Sequence, residues 1–236
     1  MSWKSGNCNR LLSAVKGIYG FFCLLWSAVK VKFDPKNELK YRKGCSSKLV
    51  DLVATEIKIV GELSPEAQLL IGNHTSMLDI ALLEKVVPEK LIWVAKKEIG
   101  DYPIFGNLVT KTGMILVDRK DKKSTVKVLK GVEKAIKGGF KVVIFPEGTR
   151  NKGDYRKLLP FKKGVKIIPE RLKLKVQPFL ILGLPERVRD RCIRPGPIEL
   201  HFLPVIDPSS DSDWYEKVRA QLQQKLDSYY SNSSRG

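Results

Sequence analysis

The sequence predicts an α/β fold: a mostly parallel or mixed central sheet covered by helices on both faces, preceded by an N-terminal membrane-associated helical segment. Three observations predict it. Seven apolar runs of strand length are bounded by turn residues, and helical patterns lie between them. Ahead of these runs, a charge-free stretch near the N-terminus is flanked by lysines. The composition, with 43% hydrophobic and 29% charged residues, supports a buried core and excludes wholesale disorder.

The charge-free stretch covers residues 17–29 and is the first predicted element. Its apolar residues recur at helical spacing, and Tyr19 and Trp26 are the amphipathic aromatics that favour headgroup depth. Because a bilayer-spanning helix needs about 20 apolar residues, this stretch is short for a span and predicts a helix lying in the interface. Ten Lys and Arg against two acidic residues in positions 1–50 predict attraction to anionic membrane lipids.

Two other interpretations of this stretch remain open. A cleaved signal peptide has the same apolar character, although no small-x-small cleavage site is evident. A helix packed on the protein's own core is the second. We favour membrane attachment and predict amphipathic and hydrophobic attachment helices in residues 1–50, followed by a single domain over residues 51–236.

The seven apolar runs are the predicted strands, at residues 56–60, 68–71, 91–95, 114–117, 140–145, 176–182 and 198–203. Two helices are clearest. The first covers residues 124–137, and its predicted buried face holds Val126, Leu129, Val132 and Ile136. The second covers residues 211–230, with Trp214, Val218, Leu222 and Leu226 as its buried edge. Strands interleaved with helices favour a largely parallel sheet covered on both faces.

The turn after the second predicted strand holds a histidine and a carboxylate. His74 lies just after the strand, and Asp79 follows five residues later. In one continuous helix the two side chains would be about 140° apart around the axis and unable to meet. The pair therefore requires His74 in the loop, folded back toward Asp79, which leaves one ring nitrogen as a base toward a hydroxyl. The alternative is a capping box made by Ser76 and Asp79.

The turn after the fifth predicted strand carries groups suited to phosphate. Residues 146–150 read Pro-Glu-Gly-Thr-Arg, and the glycine lets backbone N–H groups approach a ligand closely. Thr149 adds a hydroxyl and Arg150 a bidentate fork, and Lys162 and Lys163 follow shortly after. Each piece alone is also consistent with a tight turn and a solvated cationic face. Together they predict a phosphate pocket.

The net charge of +18 predicts an anionic partner: nucleic acid, anionic lipid or a phosphorylated substrate. The aromatic residues do not cluster with the basic residues as a stacking platform, and no nucleic-acid-binding signature is present. We therefore predict no nucleic-acid partner. A basic phosphate- or nucleic-acid-binding module remains the alternative from another functional class.

The four cysteines, Cys8, Cys23, Cys45 and Cys192, are scattered without a C-x-x-C pair. Only two histidines are present to join them as metal ligands. The spacing indicates neither a zinc site nor a disulfide framework, and we expect isolated thiols in a reduced interior.

These motifs resemble the glycerolipid acyltransferase family, and specifically its lysophosphatidic acid (1-acyl-sn-glycerol-3-phosphate) acyltransferases. Four blocks carry the resemblance, in family order, over roughly residues 56–183. They are Asn73-His74 with Asp79; residues 95–98 with Pro103, Gly106 and 113–119; Phe-Pro-Glu-Gly-Thr-Arg at 145–150 with Phe-Lys-Lys-Gly at 161–164; and the strand around Pro178. Four ordered blocks are far more specific than any one motif.

The resemblance implies a mechanism. His74, oriented by Asp79, takes the proton from the 2-hydroxyl of lysophosphatidic acid, and that oxygen attacks the thioester of acyl-CoA or acyl-carrier protein to give phosphatidic acid. It implies no acyl-enzyme, no metal and no cofactor besides the acyl donor as co-substrate. Residues 51–236 would then be the acyltransferase catalytic domain. The enzyme is expected on the cytoplasmic face of the membrane, as a peripheral or monotopic protein.

The resemblance also assigns the remaining site residues. Acceptor binding falls to Glu147, Gly148, Thr149 and Arg150, with Arg150 on the phosphate, and to the basic residues Lys96, Arg119, Lys162 and Lys163. Pro178 is placed in the acyl-chain pocket. A sibling acyltransferase that uses glycerol 3-phosphate or another lysolipid remains the closer alternative.

Overall fold

Nine strands and seven α-helices are seen in a computed structural model that describes residues 8–101, 106, 109, 111–118, 121 and 124–233 of the 236-residue chain. The strands are β1 (Ala54–Val60), β2 (Leu69–Gly72), β3 (Leu91–Lys96), β4 (Ile115–Val117), β5 (Lys141–Ile144), β6 (Val176–Leu182), β7 (Val188–Arg189), β8 (Cys192–Ile193) and β9 (Gly196–Phe202). The helices are α1 (Arg10–Phe33), α2 (Glu38–Asp51), α3 (Leu78–Val86), α4 (Ser124–Lys137), α5 (Lys163–Leu172), α6 (Leu184–Arg187) and α7 (Trp214–Ser233).

Seven of the described strands form one mixed sheet in the order β1-β9-β6-β2-β5-β3-β4. All neighbours run parallel except β6 and β9, which are antiparallel. Each predicted strand is present, with ends shifted by at most two residues, so the predicted fold class is confirmed. The two-residue strands β7 and β8 form a separate hairpin that the sequence analysis missed, because so short a pair carries no periodic pattern.

The central strands β2, β5 and β6 are buried along their whole length. This explains why their sequences are continuous apolar runs rather than alternating ones. One face of the sheet packs against α4, α5 and α7, and the other packs against α2 and α3. Helices therefore cover both faces, as predicted.

The two predicted helices differ in how well their buried faces were predicted. All four predicted edge residues of α7 are buried. In α4 the buried face holds Val128, Val132 and Ala135, whereas Val126 is 54% exposed. Its predicted burial is wrong because it lies about 160° around the helix axis from Val128, the middle residue of the buried face.

The helix α1 packs against α2 and the β7–β8 hairpin and leaves an apolar side exposed. Leu11, Ile18, Phe22 and Trp26 are between 58% and 78% exposed. By length and composition alone this 24-residue helix can cross a membrane. It is longer than the charge-free stretch because it continues through the flanking lysines.

A buried ion pair joins α2 to α3. Arg42 pairs with Glu84 and donates to the carbonyl oxygen of Leu91 at 3.1 Å. The indole N–H of Trp93 donates to the same Glu84 carboxylate at 2.7 Å. Arg42 also pairs with Glu38 of its own helix at 3.2 Å. Because the loss of Arg42 would leave the buried Glu84 carboxylate without an opposite charge, this contact holds α2 in one position on the core.

The expectation of isolated thiols is wrong for two of the four cysteines. Cys8, just before α1, forms a disulfide with Cys192 of β8, and their Cα atoms are 6.1 Å apart, a normal separation for this bond. The two residues are 184 positions apart, so local spacing could not indicate the pairing. Cys23 and Cys45 are free thiols.

Candidate active site

The histidine and carboxylate of the first motif meet at the start of α3. His74 lies in the loop after β2, and its Nδ1 atom is 2.8 Å from Oδ2 of Asp79. That oxygen also accepts the backbone N–H groups of Thr75 at 2.6 Å and Ser76 at 2.8 Å. Asp79 is fully buried. The orienting carboxylate and the capping carboxylate are thus the same group, and the two interpretations of the motif do not exclude each other.

The geometry divides the two nitrogens of the His74 ring between separate roles. Nδ1 faces Asp79, so Nε2 is the atom left to act on a substrate. The side chain is 12% exposed. A carboxylate that holds one nitrogen also stabilises the imidazolium that forms when the other takes up a proton, which is the arrangement expected of a general base.

The backbone of His74 is held from both sides. Its N–H donates to Oε1 of Glu147 at 2.9 Å, and its carbonyl oxygen accepts the N–H of Asn151 at 2.7 Å. The preceding residue, Asn73, exchanges two hydrogen bonds of 2.8 Å with the backbone of Ile181 in β6. The loop that carries His74 is therefore tied to β6 and to the turn after β5.

Glu147 faces the protein interior rather than the surface. Its side chain is 1% exposed, and its second oxygen accepts the N–H of Leu159 at 3.0 Å. Burial raises the pKa of Glu147 to about 7, opposed by the two backbone N–H groups, which lower it. Its predicted part in acceptor recognition stays a prediction, and the geometry adds a second role, since this carboxylate joins the His74 loop to the segment before α5.

The basic residues predicted to bind the acceptor lie at the same edge of the sheet. Strands β2, β5 and β3 are parallel neighbours, so their C-terminal ends meet. His74 follows β2, Thr149 and Arg150 are exposed in the turn after β5, and Lys96 is exposed at the end of β3. Clefts at this edge are where open α/β sheets bind ligands.

The segment at Lys162 and Lys163 also joins this edge. The N–H of Lys162 donates to the carbonyl oxygen of Pro146 at 2.8 Å, and its own carbonyl oxygen accepts the hydroxyl of Tyr215. Gly148 adopts a positive φ of 69°, a conformation that favours glycine. The turn at residues 146–150 and the two lysines are thus neighbours.

One of the predicted site residues is not brought into this cluster. Pro178 is buried within β6, paired in register with Ile71, and the acyl-chain pocket remains a prediction. Arg119 lies outside the described residues.

Two residues without a predicted role contact His74 directly: Asn151 through the backbone and Phe145 through its ring. Phe145 stood in a recognised motif without an assigned role, and nothing in its spacing pointed to the histidine.

The sequence matches those of known proteins over most of the chain. Residues 56–182 match the sequence model of the Acyltransferase family. The chain is 36% identical over 197 residues to a 1-acyl-sn-glycerol-3-phosphate acyltransferase of Helicobacter pylori, covering 82% of each protein. It is 31% identical over 204 residues to the enzyme of that name from Cocos nucifera, covering 82% of this chain and 65% of the relative.

A solved structure supports the fold. The crystal structure of the 1-acyl-sn-glycerophosphate acyltransferase from Thermotoga maritima superposes with a TM-score of 0.71. The match covers 94% of this chain and 96% of that one at 22% sequence identity. The overall fold is therefore shared with that protein.

Proposed function

The chain belongs to the Acyltransferase family, and from that membership we propose that it acts as a 1-acyl-sn-glycerol-3-phosphate acyltransferase in phospholipid synthesis. In this proposal the acyl group passes from acyl-CoA or acyl-carrier protein to the 2-hydroxyl of 1-acyl-sn-glycerol 3-phosphate. The product is phosphatidic acid. The observation that carries the proposal is the hydrogen bond between His74 and the buried Asp79 in the loop after β2.

The chemistry proposed for His74 is general-base catalysis. Nε2 takes the proton of the 2-hydroxyl as its oxygen attacks the thioester carbonyl, and Asp79 stabilises the resulting imidazolium. The carbon–sulfur bond then breaks, and the departing thiolate takes the proton back from Nε2. The protein needs no covalent intermediate, because both reacting groups belong to substrates.

The acceptor's phosphate fits the basic edge of the sheet. Arg150 offers two parallel N–H donors for a phosphate, and Lys162 and Lys163 add positive charge from the adjoining segment. Lys96 lies at the end of β3, the direct neighbour of β5 in the sheet. A phosphate held there would present the glycerol backbone toward His74.

The exposed apolar side of α1 supports attachment to a membrane. The proposed acceptor and product are both lipids, so an enzyme held at the bilayer meets them where they reside. We propose that α1 lies in the cytoplasmic leaflet, with its apolar side chains inserted and its flanking lysines on anionic headgroups.

One assay tests the acceptor and the donor together. The purified full-length chain is offered lysophosphatidic acid, glycerol 3-phosphate and lysophosphatidylcholine in parallel, each with acyl-CoA and with acyl-carrier protein. We expect phosphatidic acid from lysophosphatidic acid with at least one donor and little product from the other acceptors. Faster transfer to glycerol 3-phosphate or lysophosphatidylcholine would replace the proposed acceptor, and no transfer at all would overturn the proposal.

A further inference from the structure

The ring of Phe145 lies flat against the ring of His74. The two ring centroids are 3.8 Å apart and the planes differ by 4°. Phe145 is the first residue after β5, and its backbone begins the turn that carries Glu147. This contact involves the face of the imidazole, whereas Asp79 contacts its edge at Nδ1.

Phe145 is itself held in place by two other aromatic rings. Trp93 of β3 stacks on it with centroids 5.7 Å apart, and Phe179 of β6 meets it edge-on at 6.2 Å. Trp93 and Phe179 are at most 3% exposed, and the indole N–H of Trp93 is fixed on Glu84. Because these neighbours come from strands on either side of β5, Phe145 has little freedom to tilt.

The covalent bond at Cγ and the hydrogen bond at Nδ1 hold two adjacent atoms of the imidazole, but the ring can still tilt about the line through them. A flat surface against the ring removes this freedom. The edge contact with Asp79 and the face contact with Phe145 together determine the direction of Nε2. An aromatic face also attracts a cation through its quadrupole, so the stack favours the imidazolium as it forms.

We propose that Phe145 is a positioning residue for acyl transfer, whose ring sets the plane of His74 so that Nε2 faces the acceptor hydroxyl. This inference rests on the proposed role of His74 as the base. Phe145 acts through His74 and requires no contact with substrate. Its contribution belongs to the chemical step, where a small misplacement of a catalytic group is costly.

The kinetic test compares Phe145→Leu with Phe202→Leu. The two phenylalanines are 9% and 8% exposed and lie in the same core cluster, so both substitutions remove a ring of equal size from a similar environment. We expect Phe145→Leu to lower kcat by about 10²-fold while KM for lysophosphatidic acid stays within about twofold. Phe202→Leu should retain the kcat of the wild type. Phe145→Tyr keeps the ring, so its kcat should be close to that of the wild type. Equal losses in the two leucine variants would overturn the proposal.

A spectroscopic test reads the contact without activity. The chain has only two histidines, so histidine-selective isotope labelling gives two ring systems, and His201→Gln assigns them. In the wild-type protein the ring current of Phe145 should move the His74 ring protons upfield of those of His201. Phe145→Leu should abolish that displacement and Phe202→Leu should preserve it. His74 resonances without an upfield displacement in the wild type would also overturn the proposal.

The two proposals fail in different ways. If His74→Ala keeps its activity, the general base is wrong whatever the spectra show. If His74→Ala is inactive but Phe145→Leu behaves as Phe202→Leu does, the base stands and the positioning role of Phe145 falls.

Discussion

Nδ1 of His74 and Oδ2 of Asp79 lie 2.8 Å apart, and the same oxygen closes the turn between them through two backbone N–H groups. The carboxylate therefore orients the ring and shapes the loop that carries it. Substitution of His74 removes the ring and leaves the turn intact, whereas substitution of Asp79 disturbs both the ring and the turn. Substitution of His74 is thus the cleaner test of chemistry.

Replacing His74 with alanine should lower kcat by about 10²- to 10⁴-fold, because a positioned base contributes that range. The far-ultraviolet circular dichroism spectrum should match that of the wild type, which shows that the variant is folded. His201→Ala is the matched control, since His201 pairs with Glu199 on β9 and has no part in the proposed chemistry. Near-normal turnover by purified His74→Ala would remove the base assignment.

Replacing Arg150 with alanine should raise KM for lysophosphatidic acid by about 10- to 100-fold, the value of one hydrogen bond to a charged group. Arg150 is exposed in the turn after β5, so its loss should leave stability unchanged. Lys152→Ala removes an equal charge two residues away and should change KM little. Equal kinetics for the two variants would place the phosphate elsewhere.

The stability of the wild-type protein should fall relative to Glu147→Gln as pH rises. Burial raises the pKa of Glu147 from 4.5 to about 7. Between these two values the folded state holds a proton that the unfolded state has released, so each rise in pH through this window favours unfolding. Glutamine cannot titrate. Urea unfolding of both proteins from pH 4 to pH 8 measures the difference, and parallel stability curves would contradict the buried carboxyl.

Replacing Cys192 with serine should lower the free energy of unfolding by about 2–4 kcal/mol, the usual contribution of a disulfide. Adding a thiol reductant should lower the free energy of unfolding of the wild type to that of the variant. Cys23→Ser, which removes a free thiol, serves as the control. Alkylation of the unfolded protein without reductant should label Cys23 and Cys45 only. Labelling of all four cysteines would show that the bond is absent.

Replacing the exposed aromatic residues of α1 should release the protein from anionic vesicles. Phe22→Ser and Trp26→Ser remove side chains that are 59% and 64% exposed, so the fold should be unaffected. Each should weaken vesicle binding by at least about tenfold, because inserting such a side chain is worth more than 1.4 kcal/mol. Val126→Ser removes an exposed apolar residue from α4 and should not change sedimentation. If a variant that carries both Phe22→Ser and Trp26→Ser still binds the vesicles, another surface of the protein provides the attachment.

The sheet was predictable from sequence because its central strands are buried on both faces and therefore appear as uninterrupted apolar runs between turn residues. The loop position that His74 needs to reach Asp79 was predictable for a similar reason, because helix geometry over five residues keeps the two side chains apart within one helix. These are local constraints, and a single sequence expresses them directly.

The contacts that escaped prediction join residues far apart in the chain. Cys8 pairs with Cys192, and Arg42 pairs with Glu84. The burial of the Glu147 side chain was not predicted, because a carboxylate in a glycine-containing turn can equally well bind a ligand or accept hydrogen bonds from a neighbouring loop. The backbone N–H groups of His74 and Leu159, which lie 73 residues before Glu147 and twelve after it, decide between these roles.

The contact between His74 and Asp79 depends on the number of residues in the loop between them more than on which residues these are. Asp79 is met there mainly by backbone N–H groups, which any residue except proline supplies, and the side chain of Met77 is 55% exposed. One residue inserted or removed before α3 would move Asp79 relative to the ring, whereas many substitutions at Met77 would leave the pair undisturbed. A search for related sites should therefore hold the interval constant and leave position 77 free.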